Sequence, residues 1–223
     1  MAVTMTDLVH VDVRDAIATL TLDDGKANAL SLSMSRAIDA ALDVAATQAR
    51  VVVIRGRPGV LCGGFDLKVI RGGDQAATTA MREAGMRLLR RLYLLPQPLV
   101  IACTGHSVAA GGLLLLTGDL RIGVQGDFRI GLNEVAIGLV LPQAGLELAR
   151  DRLARSALTE AVIFSRLYSP VDAVNAGYLD QAVAREEFDR TVAERALELA
   201  KLDPSAFART KQRLRQTTAD RML

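Results

Sequence analysis

Apolar and polar positions alternate over residues 8–13 and again over residues 17–22, with Arg14-Asp15-Ala16 between them, a pattern that predicts a β-hairpin. Farther along, alternation gives way to short unbroken apolar runs. Val51 to Ile54, closed by Arg55-Gly56, and Leu99 to Cys103, held between Pro98 and Thr104-Gly105, have the length and composition of strands buried on both faces. Helical spacing predicts a helix capped by Ser31 and running to about Ala46. A second spans residues 78–95, where Met81, Leu88, Leu89, Leu92 and Leu95 share a face and Arg82, Arg87, Arg90 and Arg91 fall largely elsewhere. After an apolar, irregular stretch at 135–142 the chain reads as mostly helical. Helices are predicted over 143–158, 159–164, 185–202 and 205–215, with a further one opened by Ser169-Pro170 and stopped by Gly177, and a short strand near 179–183.

The two buried strands head similar units. Each runs from strand through a glycine-containing turn and small residues to an apolar helix start, which predicts stacked β-β-α turns. Such stacking would bring together two small-residue corners, Gly63-Gly64-Phe65-Asp66 and Ala109-Ala110-Gly111-Gly112. The expected architecture is therefore an α/β spiral of repeated units over residues 1–141, followed by a helical region over 142–223.

Composition narrows this picture. Half the residues are apolar and only 4% aromatic, so the core must be built from Ala, Val, Leu and Ile. With 27 basic and 25 acidic residues well mixed along the chain, net +2, nothing marks a nucleic-acid partner. The most apolar region, 94–116, is interrupted by prolines, His106, Ser107 and glycines, and fails as a membrane span. Residues 1–7 lack both a basic start and an apolar segment, so no signal peptide is expected. Cys62 and Cys103 have no metal-ligand spacing and read as small buried hydrophobes of a reducing, cytoplasmic compartment; no metal is expected.

The chemistry lies in the corners and one acid. Where a strand turns into a helix over small residues, backbone N–H groups point outward and an anion can approach them. Tight turning or close packing explains either corner taken alone. Two equivalent corners with an acid downstream point to a shared oxyanion site, in which each donor is typically worth about 2.7–4 kcal/mol. Glu134 stands between Asn133 and Val135-Ala136-Ile137; apolar surroundings raise a carboxyl's pKa toward the range of a general base, although a surface acid at a strand end fits the local sequence as well. His106 has no Ser, Cys or Asp at triad spacing and reads as structural, and Ser107 lacks a nucleophile elbow. Lys26, Lys68 and Lys211 sit near predicted corners or the tail, where they could meet phosphates as point charges.

From about residue 11 to residue 211 the chain resembles the crotonase family, the enoyl-CoA hydratases and isomerases. The resemblance rests on Ala27-Asn28-Ala29-Leu30, on Val52-Val-Ile-Arg-Gly56 with Leu61-Cys-Gly-Gly-Phe-Asp-Leu67, on Pro98 to Asp119, and on Gly131-Leu-Asn-Glu-Val-Ala-Ile-Gly138. It implies a crotonase-like spiral with a C-terminal helical region that serves assembly and closure of the site. The implied substrate is an acyl-CoA thioester, with coenzyme A as part of that substrate and no separate cofactor. The N–H groups of Phe65 and Ala110 would hold the thioester oxygen, Glu134 would be the catalytic acid-base, and Lys26, Ala27, Asp66, Leu67 and Lys68 would lie along the CoA. A homotrimer or dimer of trimers is implied. Two departures matter: alanine stands at 110 where the family often has glycine, and Leu113 stands where hydratases carry a second glutamate. The chain also ends soon after Lys211, short of the family's usual terminal helix. Double-bond isomerisation is the activity these features favour, with hydration by Glu134 alone and a non-catalytic acyl-CoA binder as alternatives.

Overall fold

The computed structural model describes residues 5–222, so much of the N-terminal stretch read for a leader lies outside the described residues. The alternating segments form the expected hairpin: β1 (Met5–Thr6) pairs antiparallel with β2 (Val9–Arg14), and β2 with β3 (Ile17–Leu22), from Val9 opposite Leu22 to Arg14 opposite Ile17. Asp15 and Ala16 both take positive φ, 51° and 60°, as a two-residue hairpin turn that follows strand twist requires.

The unbroken apolar runs become the parallel middle of the same sheet. β4 (Val51–Gly56), β5 (Gly59–Cys62), β6 (Leu99–Cys103), β7 (Gly105–Val108), β8 (Leu120–Val124), β9 (Ile130–Gly131) and β10 (Gln181–Val183) complete the strands, and the large sheet runs β1-β2-β3-β4-β6-β8-β10, parallel from β3 onward. Val52, Ile54, Leu99, Ile101 and Cys103 face one core, packed on α1 (Leu32–Gln48) and α3 (Gln75–Tyr93). Val51, Val53, Val100, Ala102 and Ile122 face a second, closed by Phe188, Val192 and Ala196. Helices on both faces are the physical reason these strands show no alternation.

A second, smaller sheet escaped the sequence pattern. β5, β7 and β9 pair in parallel, in that order. Each directly follows a strand of the large sheet: β4 leads to β5 and α2 (Leu67–Arg71), β6 to β7 and α4 (Ala110–Leu116), β8 to β9 and a 3₁₀ turn (Val135–Ile137). The repeat is thus a β-β-α spiral, and what read as glycine-rich turn is its second strand. These strands are short and small-residue-rich because their backbones pack closely: a Cβ on Gly105 would lie 2.0 Å from the Gly59 carbonyl carbon.

The helical region differs in its boundaries. α5 (Gln143–Arg152) stops at Leu153 and α6 (Leu158–Val162) follows, so the long helix expected over 143–158 is broken. α7 (Pro170–Ala176) has the expected Ser169 cap and a left-handed Gly177. α8 (Arg185–Leu199) covers the second core, and α9 (Pro204–Asp220) runs five residues past the expected end. The buried side of α9 carries Lys211 and Arg215 as well as Ala219, and apolar periodicity does not register a face built on charge. Lys211 therefore does not meet phosphate: its Nζ lies 2.6 Å from Asp119, within the fold. Leu148, Ala173, Tyr178, Ala219 and Met222 join the same core as the spiral. Among the described residues no helix is long and apolar enough to cross a membrane.

Candidate active site

Each strand of the small sheet is followed, within three residues, by a residue that the sequence singles out. Beyond β5 come Gly63 and Gly64, the latter at φ +101°, and then Phe65. Beyond β7 comes Ala109, at φ 51° and ψ −125°, and then Ala110, the first residue of α4. A non-glycine residue held there is strained by about 1–3 kcal/mol. Both Phe65 and Ala110 thus follow a residue of positive φ, and neither N–H donates to an acceptor among the described residues.

The corners touch. A Cβ on Gly64 would lie 2.9 Å from Ala109 Cβ and 3.6 Å from the Ala110 nitrogen, and a Cβ on Gly111 would lie 2.0 Å from the Cys62 carbonyl oxygen. Only glycine at both positions lets the backbones approach this closely.

Glu134 lies three residues beyond β9, whose Gly131 carbonyl accepts the Ala109 N–H at 3.0 Å. The first donor, the second donor and the acid therefore follow the C-terminal ends of three adjacent parallel strands, where open parallel sheets gather ligand sites. Glu134 is 7% exposed and its Oε2 has no hydrogen-bond partner among the described residues. Burial raises its pKa above the ordinary carboxylate value, against the pull of the Glu134 and Asn133 N–H groups. The geometry thus sets two unused donors and one enclosed acid at the ends of three neighbouring strands.

The sequence profile of the enoyl-CoA hydratase/isomerase family matches residues 12–223. The chain belongs to that family. A crystal structure of an enoyl-CoA hydratase/isomerase family protein from Pseudomonas syringae is 43% identical, covers 97% of this chain and 94% of its own, and superposes with a TM-score of 0.94. That of a probable enoyl-CoA hydratase from Mycobacterium tuberculosis is 38% identical over 96% of this chain and 91% of its own, at TM-score 0.92. The human mitochondrial enoyl-CoA delta isomerase 1 is 28% identical over 97% of this chain and 73% of its own length. The protein is an enzyme of the crotonase family, and its fold is the crotonase fold.

In this crotonase-family enzyme the remaining candidates lie on the rim. The Gly63 N–H donates to the Ala27 carbonyl and the Leu30 N–H to the Gly64 carbonyl, both at 2.7 Å, so the loop bearing Lys26 and Ala27 is stitched to the Phe65 corner. Lys26 and Ala27 are exposed, as are Leu67 and Lys68 across the corner. Asp66 is committed locally: its Oδ1 caps α2 by accepting the Lys68 N–H at 2.8 Å. A depression of about 750 Å³ opens beside Asp66 and Val69, bordered by Ser31, Ser33 and Arg36.

In the sequence Asn28 stands out only as part of a motif, yet it fixes this loop. Fully buried at φ +50°, it donates from Nδ2 to the Leu22 and Leu61 carbonyls at 3.0 and 3.2 Å and accepts the Asp24 N–H at 3.0 Å. A buried amide in a turn was visible in the sequence only as an Asn four residues after an Asp, an Asx-type signal. His106 is exposed, accepts the Arg129 N–H at 3.0 Å and meets Phe128 edge-on, and Ser107 is buried and donates to the Gly111 carbonyl at 2.9 Å. Burial pushes the thiols of Cys62 and Cys103 up to about 11 and about 12. Leu113 is fully buried, and a Cβ on Gly145 of α5 would lie 3.1 Å from its Cδ1.

Proposed function

We propose that this enzyme shifts a double bond in an enoyl-CoA. Glu134 removes a proton from the carbon beside the thioester carbonyl, the N–H groups of Phe65 and Ala110 hold the enolate oxygen, and Glu134 returns the proton two carbons away. A carboxylate is a weak base for so weak a carbon acid, so the two donors must stabilise the enolate strongly. The observation that supports this reading is that two unused N–H donors and a buried acid follow the ends of three adjacent strands. Lys26, Ala27, Leu67, Lys68 and the Asp66 backbone are assigned to the CoA, on whose phosphates the two lysines act as point charges.

Leu113 favours isomerisation over hydration. It can neither accept a hydrogen bond nor carry a proton, and it keeps its surroundings dry, which protects an enolate from water. Isomerisation of a 3-enoyl-CoA is expected to exceed hydration of a 2-enoyl-CoA of equal chain length by at least about tenfold in kcat/KM, or roughly 1.4 kcal/mol in barrier. Equal rates would make the enzyme a hydratase that positions water with Glu134 alone, and absence of both reactions with acyl-CoA still bound would make it a binding protein.

The assembly we propose is a homotrimer or a dimer of trimers. Val135, Ile137 and Val140, 50%, 38% and 91% exposed, lie with Ile163 and Phe164, 59% and 69% exposed, on loops joined by the Ala136 N–H to Ser165 Oγ bond at 3.1 Å. Such an apolar patch beside the site calls for a protein partner. Light scattering at micromolar concentration should give three or six times the monomer mass, and a monomer would refute the assembly.

A further inference from the structure

The 3₁₀ turn that opens at Glu134 is capped from another part of the chain. Glu134 stands at its N-cap position, where a side-chain oxygen ordinarily accepts an N–H of the first turn. Its carboxylate makes no such bond among the described residues. The Ala136 N–H donates instead to Ser165 Oγ at 3.1 Å, while the Glu134 carbonyl accepts the N–H groups of Ile137 and Leu139 at 3.1 and 2.8 Å.

Ser165 is held rigidly for this contact. It is 9% exposed and keeps φ at 55°, a conformation that favours glycine and persists in other residues only where their surroundings dictate it. On either side, the Phe164 and Arg166 N–H groups donate to the Thr159 and Glu160 carbonyls at 3.2 and 2.9 Å. The chain then runs directly against β9. A Cβ on Gly131 would lie 2.9 Å from the Arg166 carbonyl oxygen, and Ile130 and Tyr168 exchange backbone hydrogen bonds at 3.0 and 2.8 Å. The hydroxyl is therefore fixed from the α6 side, independently of the turn it caps.

We propose that Ser165 is a positioning residue for Glu134: by taking the Ala136 N–H in its place, the Ser165 hydroxyl keeps the Glu134 carboxylate out of its own turn and free to carry protons. This rests on the reading of Glu134 as the acid-base of the reaction. A carboxylate that caps its own turn is held ionised by the N–H it accepts, and is a weaker base for it. Glu134 is in the opposite condition: Oε2 is buried and unpaired among the described residues, and burial raises its pKa. Charged side chains of the neighbouring elements are committed elsewhere. α4 carries no titratable group over Ala110–Leu116, Glu147 of α5 is held by Gln143 and Arg150 at 3.0 and 2.7 Å, and Arg166 pairs with Glu160 at 2.6 Å. Tyr168 and Tyr178 stay neutral, since burial raises both their pKa values.

Ser165→Gly and Ser165→Ala test this. Both remove the hydroxyl and leave the Ala136 N–H to the Glu134 carboxylate, but glycine relieves the left-handed backbone and alanine does not. The probe is the protonated-carboxyl infrared band that Glu134→Gln abolishes, titrated in the substrate-free enzyme, the state in which the Ser165 bond is present. In both variants that titration should fall by about one pH unit. The acid limb of kcat/KM should move down with it, and kcat near neutral pH should drop about fivefold to tenfold while KM stays within about twofold. An unchanged or raised titration in Ser165→Gly would overturn the proposal, whatever that variant's stability. So would a lowered titration with kcat unchanged, or shifts of opposite sign in the two variants, which would assign the effect to backbone strain. A lowered titration in a protein that isomerises no enoyl-CoA would uphold the Ser165 cap while refuting the proposed reaction.

Discussion

Glu134→Gln is expected to lower isomerase turnover by at least about 10²–10⁴-fold, the usual contribution of a general base, while acyl-CoA binding stays nearly intact. The amide keeps the size of the side chain and loses its basicity, and the donors proposed at Phe65 and Ala110 are backbone groups the substitution does not touch. Turnover and a calorimetric Kd for a saturated acyl-CoA check it together, and activity within two- or threefold of the parent would remove Glu134 from the mechanism. The same variant has a stability signature. Because burial raises the folded-state pKa of Glu134, the folded protein binds more protons than the unfolded chain just above the ordinary carboxylate pKa. Stability from this group is therefore complete below the unfolded pKa and declines as pH rises through the folded one. Glutamine removes that decline, so Tm at neutral pH should rise as activity disappears, a trade familiar at active sites.

Asp119→Asn should destabilise the fold by about 3–5 kcal/mol, the cost of breaking a buried ion pair from one side. Asp119 receives Lys211 Nζ at 2.6 Å, Arg215 Nη2 at 2.9 Å and the Leu99 N–H at 2.7 Å, and both cationic side chains are 5% exposed. Arg215 also stacks over Tyr93 and donates to the Tyr93 and Thr117 carbonyls at 2.9 and 3.2 Å. One carboxylate thus clamps α9 to the start of β6. For a chain of this length 3–5 kcal/mol is a fall of roughly 6–20 °C in Tm, and amide exchange in α9 should accelerate before that in the parallel strands. The loss should shrink at alkaline pH. Burial lowers the Lys211 pKa to about 8 even with Asp119 present. Between that pH and its unfolded value the unfolded chain binds more protons, so stability from Lys211 rises with pH, and without Asp119 the window opens lower. A Tm within 2 °C of the parent would show that α9 is held by its apolar contacts alone.

The hairpin, the two doubly buried strands and the ends of most helices follow from local pattern, because alternation, unbroken β-branched runs and caps such as Ser31 and Ser169 act over a few residues. The corners at Gly64 and Ala109 and the acid at Glu134 were also legible, since small residues and a lone carboxyl among apolar neighbours are unusual locally. What no local signal carried is the small sheet β5-β7-β9: strands of two to four residues packed backbone to backbone leave no side-chain period to read. Nor could residue type reveal that Lys211 and Arg215 face inward, because their charge is satisfied by Asp119, 92 and 96 positions earlier in the chain. The spiral settles both. By stacking each β-β-α turn on the last it carries three strand ends, distant in the chain, to one edge, and Phe65, Ala110 and Glu134 each follow one of those ends.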